Sequence, residues 1–313
     1  MRQRFHRIAS TRRFRVATIG MFTVIRLAAL FAGLCVGGLV SAGRVSIPPL
    51  DGSAMATGTA SRGARSQTTP PPPAPLVDQS SIIGCDAPVV QSLMQGHPLV
   101  SQWIVVISPS QSSTQATLQV VTVVADRWTC TVASSAAMVG RSGIRPLINR
   151  RSGDGSTPSG VFPLGVVSTP QGPISLFGNR ANPGVRTSYR SVQAGDCYGA
   201  NPNTSGYGHW RVDPTGCLGD DELLTAYGST YEYAALIGAN TEPNVSGDSP
   251  TETPFAAAIF LHRNSYTSTG GTKPTAGCVS VAHSPLLATI RAIDPTLNTH
   301  FAIGTRADLL AIG

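Results

Sequence analysis

Short apolar runs set apart by turn residues mark the chain from residue 103 onward. Trp103–Ile107 (WIVVI), Thr117–Ala125 (TLQVVTVVA) and Thr129–Ala133 (TCTVA) come first, and Gly160–Gly165 (GVFPLG) follows. Tyr233–Ile237 (YAALI), Ala256–His262 (AAAIFLH) and His300–Gly304 (HFAIG) complete the series. Most are β-branched or aromatic and bounded by Gly, Pro, Ser or Asn, which predicts strands. Two segments carry helix signals instead. In Asp86–Gly96, Asp86 is placed to cap the first turn and Gly96 to end the last. Near the C-terminus, Ser284 is expected to cap a helix with Pro285 in its first turn. Leu286, Leu287, Ile290 and Ile293 supply its apolar stripe, and Asp294-Pro295 stops it. The segment 166–232 is turn-rich and is expected to form loops draped over the sheets. The fold class is therefore mainly β, with one or two short helices and long loops.

The longest apolar run has a different character. Leu27–Val40 (LAALFAGLCVGGLV) follows a basic stretch and ends in Val40-Ser41-Ala42, as an export signal does. Met21 offers an alternative start with one arginine before the core. An uncleaved anchor is the competing reading, although Arg26 inside the span Val16–Ala42 is costly there. Residues 1–42 are thus expected to be a signal peptide or signal anchor, and any membrane contact is confined to them. Residues 43–81 are rich in Pro, Ser and Gly and include TTPPPPAP, the composition of a disordered spacer. A folded domain is expected over 82–313, with its core at 104–304. Either reading of the N-terminus places that domain in a secreted or cell-envelope location.

Charge narrows the function. The formal net charge is +7, but seven arginines and no acid lie in residues 1–42. The remainder carries sixteen basic and sixteen acidic residues, so the folded part lacks the cationic excess that nucleic-acid binding needs. There is no Cys-x2-Cys pair and no His-x3-5-His pair, so neither a metal nor another cofactor is expected.

Cysteine counting supplies the candidate chemistry. Cys35 lies in the export segment, which leaves Cys85, Cys130, Cys197, Cys217 and Cys278. Proximity favours Cys197–Cys217, and Cys85–Cys130 then staples the first helix to an early strand. Cys278 is left unpaired in KPTAGCVSVAH, a run of small residues. A thiol needs a base to become nucleophilic. His262 closes the run AAAIFLH and is the first candidate. His283, five residues after Cys278, is the alternative. Gly277 has no Cβ, lets a substrate carbonyl approach, and its amide and that of Cys278 are natural oxyanion donors.

His262, a spacer of about fifteen residues, and PTAGCVSV together resemble the catalytic motif of the L,D-transpeptidase (YkuD-like) family. GDGSTPSGVFPLG (Gly153–Gly165), YEYAALIGAN (Tyr231–Asn240) and AIFLH match further ordered blocks. The resemblance implies a β-sandwich domain that acts on peptidoglycan stem peptides. It implies Cys278 as nucleophile, His262 as base, Gly277 as backbone donor and Thr275 as support for the loop. A hydroxyl of Tyr231 or Tyr233 is a further candidate for the oxyanion site. The sequence departs from the pattern at Ala276 and at Ser280, a position tied to substrate holding. The implied reaction is formation of an acyl-enzyme from a tetrapeptide stem and its transfer to an amine, giving a 3–3 cross-link. Carbapenems are then expected as covalent inhibitors. Transfer to water, an L,D-carboxypeptidase activity, is the nearest alternative. A non-catalytic wall-binding module, or another cysteine enzyme such as a sortase-like transpeptidase or wall amidase, is the more distant one.

Overall fold

The structure, a computed structural model, describes residues 84–124, 127–247 and 255–313. The expected export segment and spacer lie outside the described residues.

Helix α1 (Ala87–Gly96) opens the domain, with the Asp86 carboxylate accepting from the amide of Val89. Strands β1 (Gln102–Ser108), β2 (Gln115–Val124) and β3 (Arg127–Met138) form an antiparallel meander. β4 (Ile144–Pro146) and β5 (Thr157–Pro163) follow. The segment read as loops instead holds seven strands of two or three residues: β6 (Val167–Thr169), β7 (Gly172–Ile174), β8 (Leu176–Gly178), β9 (Tyr189–Ser191), β10 (Asp196–Tyr198), β11 (Trp210–Val212) and β12 (Glu222–Leu223). Runs this short show no periodicity to read, so only their pairing reveals them. β13 (Ala234–Leu236), β14 (Phe260–Arg263), β15 (Val279–Val281), α2 (His283–Ala292), β16 (Thr299–Thr305) and α3 (Arg306–Leu310) complete the chain.

One eleven-stranded sheet runs β4-β5-β16-β1-β2-β3-β15-β14-β13-β8-β9. A three-stranded sheet, β11-β10-β12, and the β6–β7 hairpin accompany it. β1 is buried on both faces, as its near-continuous apolar run requires. Ile104 and Val106 meet Leu118, Leu261, Val279 and α2 on one side. Trp103 and Val105 meet α1 and Leu309 of α3 on the other. The result is a mainly β, sandwich-like domain.

Several boundaries differ from the sequence reading, and a third helix is added. β3 continues past Ala133 to Met138 because it pairs with β2 and then with β15. The small residues SSAA gave no apolar signal there. β14 starts at Phe260 rather than Ala256, since Ala258 sits at φ 53° and breaks the extended backbone. α2 starts at His283, not after Ser284. β15 runs to Val281 and the chain turns at once, so Ala282 occupies the cap position without a side-chain bond. α3 is a third helix, closed by a reciprocal capping box between Thr305 and Asp308.

Candidate active site

β14 and β15 lie side by side and parallel in the large sheet, in register Leu261↔Val279 and His262↔Ser280. Leu261 and Val279 enter the main core. Side chains alternate along a strand, so Phe260, His262 and Cys278 share the opposite face. An aromatic cluster covers that face. Tyr231 packs edge-on against Phe260 at 5.7 Å and against His262 at 5.3 Å between ring centres.

Cys85 pairs with Cys130 and Cys197 with Cys217, and Cys278 is the free cysteine among the described residues. Its thiol donates to the carbonyl of Ala258 at 3.3 Å and accepts from the amide of Phe260 at 3.4 Å. Its own carbonyl is held twice, by Thr275 Oγ1 at 2.6 Å and Thr157 Oγ1 at 3.1 Å. Thr157 belongs to the GDGSTPSG segment, and its hydroxyl also accepts from the Gly140 amide at 2.8 Å. Thr275 Oγ1 takes the amide of Gly277 at 3.1 Å. This corrects one expectation: the Gly277 N–H is engaged by a side chain rather than free for an oxyanion, which leaves the Cys278 amide as the candidate donor of the pair.

His262 Nδ1 donates to the carbonyl of Arg263 at 2.7 Å. A carbonyl only accepts, so Nδ1 carries the proton and Nε2 the lone pair. Burial pulls the imidazole down to about 4, against the raising effect of the Arg263 carbonyl. Burial also pushes the Cys278 thiol up to about 12, and the charge of Glu222 adds to it. The Phe260 amide and Arg150 act the other way. At neutral pH the two groups stand as thiol and neutral imidazole, not as an ion pair.

Two cavities of about 300 Å³ each meet at Cys278. His262, Tyr231, Thr275 and Ser280 line one of them. Arg150, Gly277 and Ile259 line the other, and Glu222 lines both. The structure therefore brings Cys278, His262, Thr275, Tyr231 and Ser280 to one cavity. Tyr233 is elsewhere, half-buried against the main core. The Tyr231 hydroxyl is already bonded, donating to Glu222 Oε2 at 2.5 Å. Ser280 is fully buried and donates to Asn264 Oδ1 at 2.9 Å. His283 turns to Glu232, Nδ1 to Oε1 at 2.5 Å, and Glu232 in turn pairs with Arg263 at 3.1 Å.

Sequence reasoning missed Glu222, Arg150, Ala258 and Thr157. Burial raises the Glu222 carboxyl to about 7, opposed by the Tyr231 hydrogen bond. Glu222 lies just past the Cys197–Cys217 loop, on β12 where it pairs with β10, and nothing in its local sequence points back to residue 278. Thr157 lay inside a quoted motif, but its bond to the cysteine carbonyl spans 121 residues.

The fold and site together define a mainly β domain centred on one buried cysteine. Residues 101–295 match the model of the L,D-transpeptidase catalytic domain. The chain belongs to that family, whose members act on peptidoglycan stem peptides. No curated protein and no solved structure matches the chain. Two disulfides fit an extracytoplasmic location. Among the described residues, no helix is long and apolar enough to cross a membrane.

Proposed function

We propose that the protein is a peptidoglycan L,D-transpeptidase with Cys278 as nucleophile and His262 as base. The observation that carries this reading is that a free thiol and a neutral imidazole line the same cavity, with the cysteine carbonyl pinned by two threonines. The thiol turns from the Ala258 carbonyl, and His262 Nε2 takes its proton as sulfur attacks the carbonyl of the L,D peptide bond of a tetrapeptide stem. Collapse of the adduct forms a thioester and expels D-alanine, whose nitrogen receives the proton from His262. An amine of a second stem then attacks the thioester, loses a proton to His262 and releases Cys278 as thiol. The product is a 3–3 cross-link, and the energy of the broken peptide bond is retained in the thioester, so no ATP is consumed. The Cys278 amide serves as the oxyanion donor, and the bonds of Thr157 and Thr275 to the Cys278 carbonyl support the loop that presents it. The N-terminal segment serves to export or tether the domain at the envelope.

The test is incubation of the purified chain with tetrapeptide muropeptides, read by mass spectrometry. Cross-linked dimers with an acyl-enzyme on Cys278, absent in Cys278→Ala and strongly slowed in His262→Ala, are expected. Trimmed tripeptides without dimers would assign transfer to water instead. Unchanged binding of wall fragments with no adduct would leave a binding module. A carbapenem is expected to acylate Cys278 in the same assay.

A further inference from the structure

The second cavity at Cys278, away from His262, has one unusual wall. Arg150 is 3 % exposed, yet it is a cation with five N–H donors. Nε donates to Ser156 O at 2.7 Å, and Nη1 donates to Arg151 O at 2.7 Å and Phe255 O at 3.3 Å. Asp154 Oδ1 lies 3.9 Å from Nε. Three carbonyls thus lock the guanidinium plane. Nη2 has no hydrogen-bond partner among the described residues, and it lies against Gly277, where a Cβ would come within 2.5 Å of it. A buried guanidinium with one edge satisfied and the other turned to a cavity is a preorganised anion site.

We propose that Arg150 forms a carboxylate-binding subsite beside Cys278, with Nη2 donating to a substrate carboxylate that flanks the bond under attack. This rests on the reading of Cys278 as nucleophile and adds which group of the substrate is recognised, and by what. Asp220 and Glu222 line the same cavity. Arg141 also lines it, with its Nη2 committed to Gly153 O at 3.0 Å. Glycine at 277 is required for this arrangement, because any side chain there displaces the guanidinium.

The experiment compares N-acetyl-D-alanine with its carboxamide as ligands of the full chain, by NMR titration. Protection of Cys278 against iodoacetamide then reports whether binding is at the site. The acid is expected to bind at least tenfold more tightly than the amide and to protect Cys278 at correspondingly lower concentration. In Arg150→Gln that preference should fall to about onefold, and Arg150→Lys, a smaller perturbation of the fold, should keep only part of it. Equal binding of acid and amide to the parent chain, or a preference that survives in Arg150→Gln, overturns the subsite. The titration needs no chemistry at sulfur. A chain that prefers the acid through Arg150 but whose Cys278 forms no acyl-enzyme with muropeptides would keep the subsite and lose the proposed reaction. The opposite pair of results would keep the reaction and lose the subsite.

Discussion

The Nδ1–H of His262 is donated to the carbonyl of Arg263, its own neighbour on β14, at 2.7 Å. That bond leaves the lone pair on Nε2, and burial holds the ring near 4. A base with so low a value is lost only in acid. Acylation of Cys278 is therefore expected to rise with pH through about 4 and to be past its acid limb by about 5.5, rather than rising near the ordinary histidine value of about 6.5. His262→Gln should lower the acylation rate by about 10²- to 10⁴-fold and remove that limb. Stopped-flow acylation by a carbapenem across pH 3.5–8 measures both. A wild-type limb centred at 6.5 would mean that the ring is solvated in the working enzyme.

Glu222 gives the profile its other side. Burial holds its carboxyl near 7, and once ionised its charge opposes thiolate at Cys278. Below 7 the carboxyl is neutral and the developing negative charge on sulfur and the oxyanion is unopposed. Above 7 it is opposed, so the rate is expected to decline as pH rises through about 7. Glu222→Gln should remove the decline while leaving the acid limb in place. The sign for stability follows the same group. Its folded value lies above its ordinary one, so ionisation costs stability progressively from about 4.5 to about 7. Glu222→Gln should accordingly gain melting temperature relative to the parent at pH 8 more than at pH 5, a difference that scanning calorimetry reads directly.

Much of this site is legible in the residue order, and the reason is local. Cys278, Gly277 and Thr275 fall within four positions of one another, and His262 ends an apolar run that any strand pattern detects. The odd cysteine followed from counting. The edges of β14 and α2 were misplaced because each depends on its neighbour: Ala258 adopts φ 53° where its carbonyl meets the thiol, and Ala282 caps α2 because β15 ends one residue before. Glu222, Arg150 and Thr157 were invisible for a different reason. Each reaches Cys278 across more than fifty residues, and only the sheet order brings them together.

The two threonines on the Cys278 carbonyl are redundant partners. Either Thr275 at 2.6 Å or Thr157 at 3.1 Å satisfies the oxygen. Thr275→Val or Thr157→Val alone is expected to cost about 1–3 kcal/mol, because each also leaves an amide, of Gly277 or Gly140, without its acceptor. Removing both leaves a buried carbonyl unpaired, so the double variant should cost more than the sum, with a coupling of about 1 kcal/mol or more. Urea denaturation of the four chains gives the cycle. Strict additivity would show that the two bonds act independently of the shared oxygen.

Gly277→Ala tests the packing behind the nucleophile. A Cβ there meets Arg150 Nη2 at 2.5 Å, Ile259 Cδ1 at 3.2 Å and Ser156 O at 3.2 Å. Arginine side chains usually yield, but this one is tied to three carbonyls. The expected cost is about 1–3 kcal/mol, as for other overpacked sites, together with loss of acylation. Thermal unfolding and intact-mass measurement after carbapenem treatment check the two parts separately.

The Cys197–Cys217 bridge bears on the site through Glu222. It closes a segment of separation 20 that includes β10 and β11, and Cys197 sits opposite Leu223, the residue after Glu222, in the β10–β12 ladder. Opening a loop of this length costs about 3 kcal/mol in a chain-entropy account. The large sheet does not run through this insertion, so the loss should be local. In Cys197→Ser/Cys217→Ser, limited proteolysis is expected to cut within residues 199–221 while α1 and the β1–β3 meander stay intact. If β12 then leaves its place, Glu222 no longer faces the sulfur, and the decline of acylation above pH 7 should vanish as it does in Glu222→Gln. A variant that is cut in the insertion yet keeps that decline would show that Glu222 is held by its bond to Tyr231, 2.5 Å long, rather than by the disulfide.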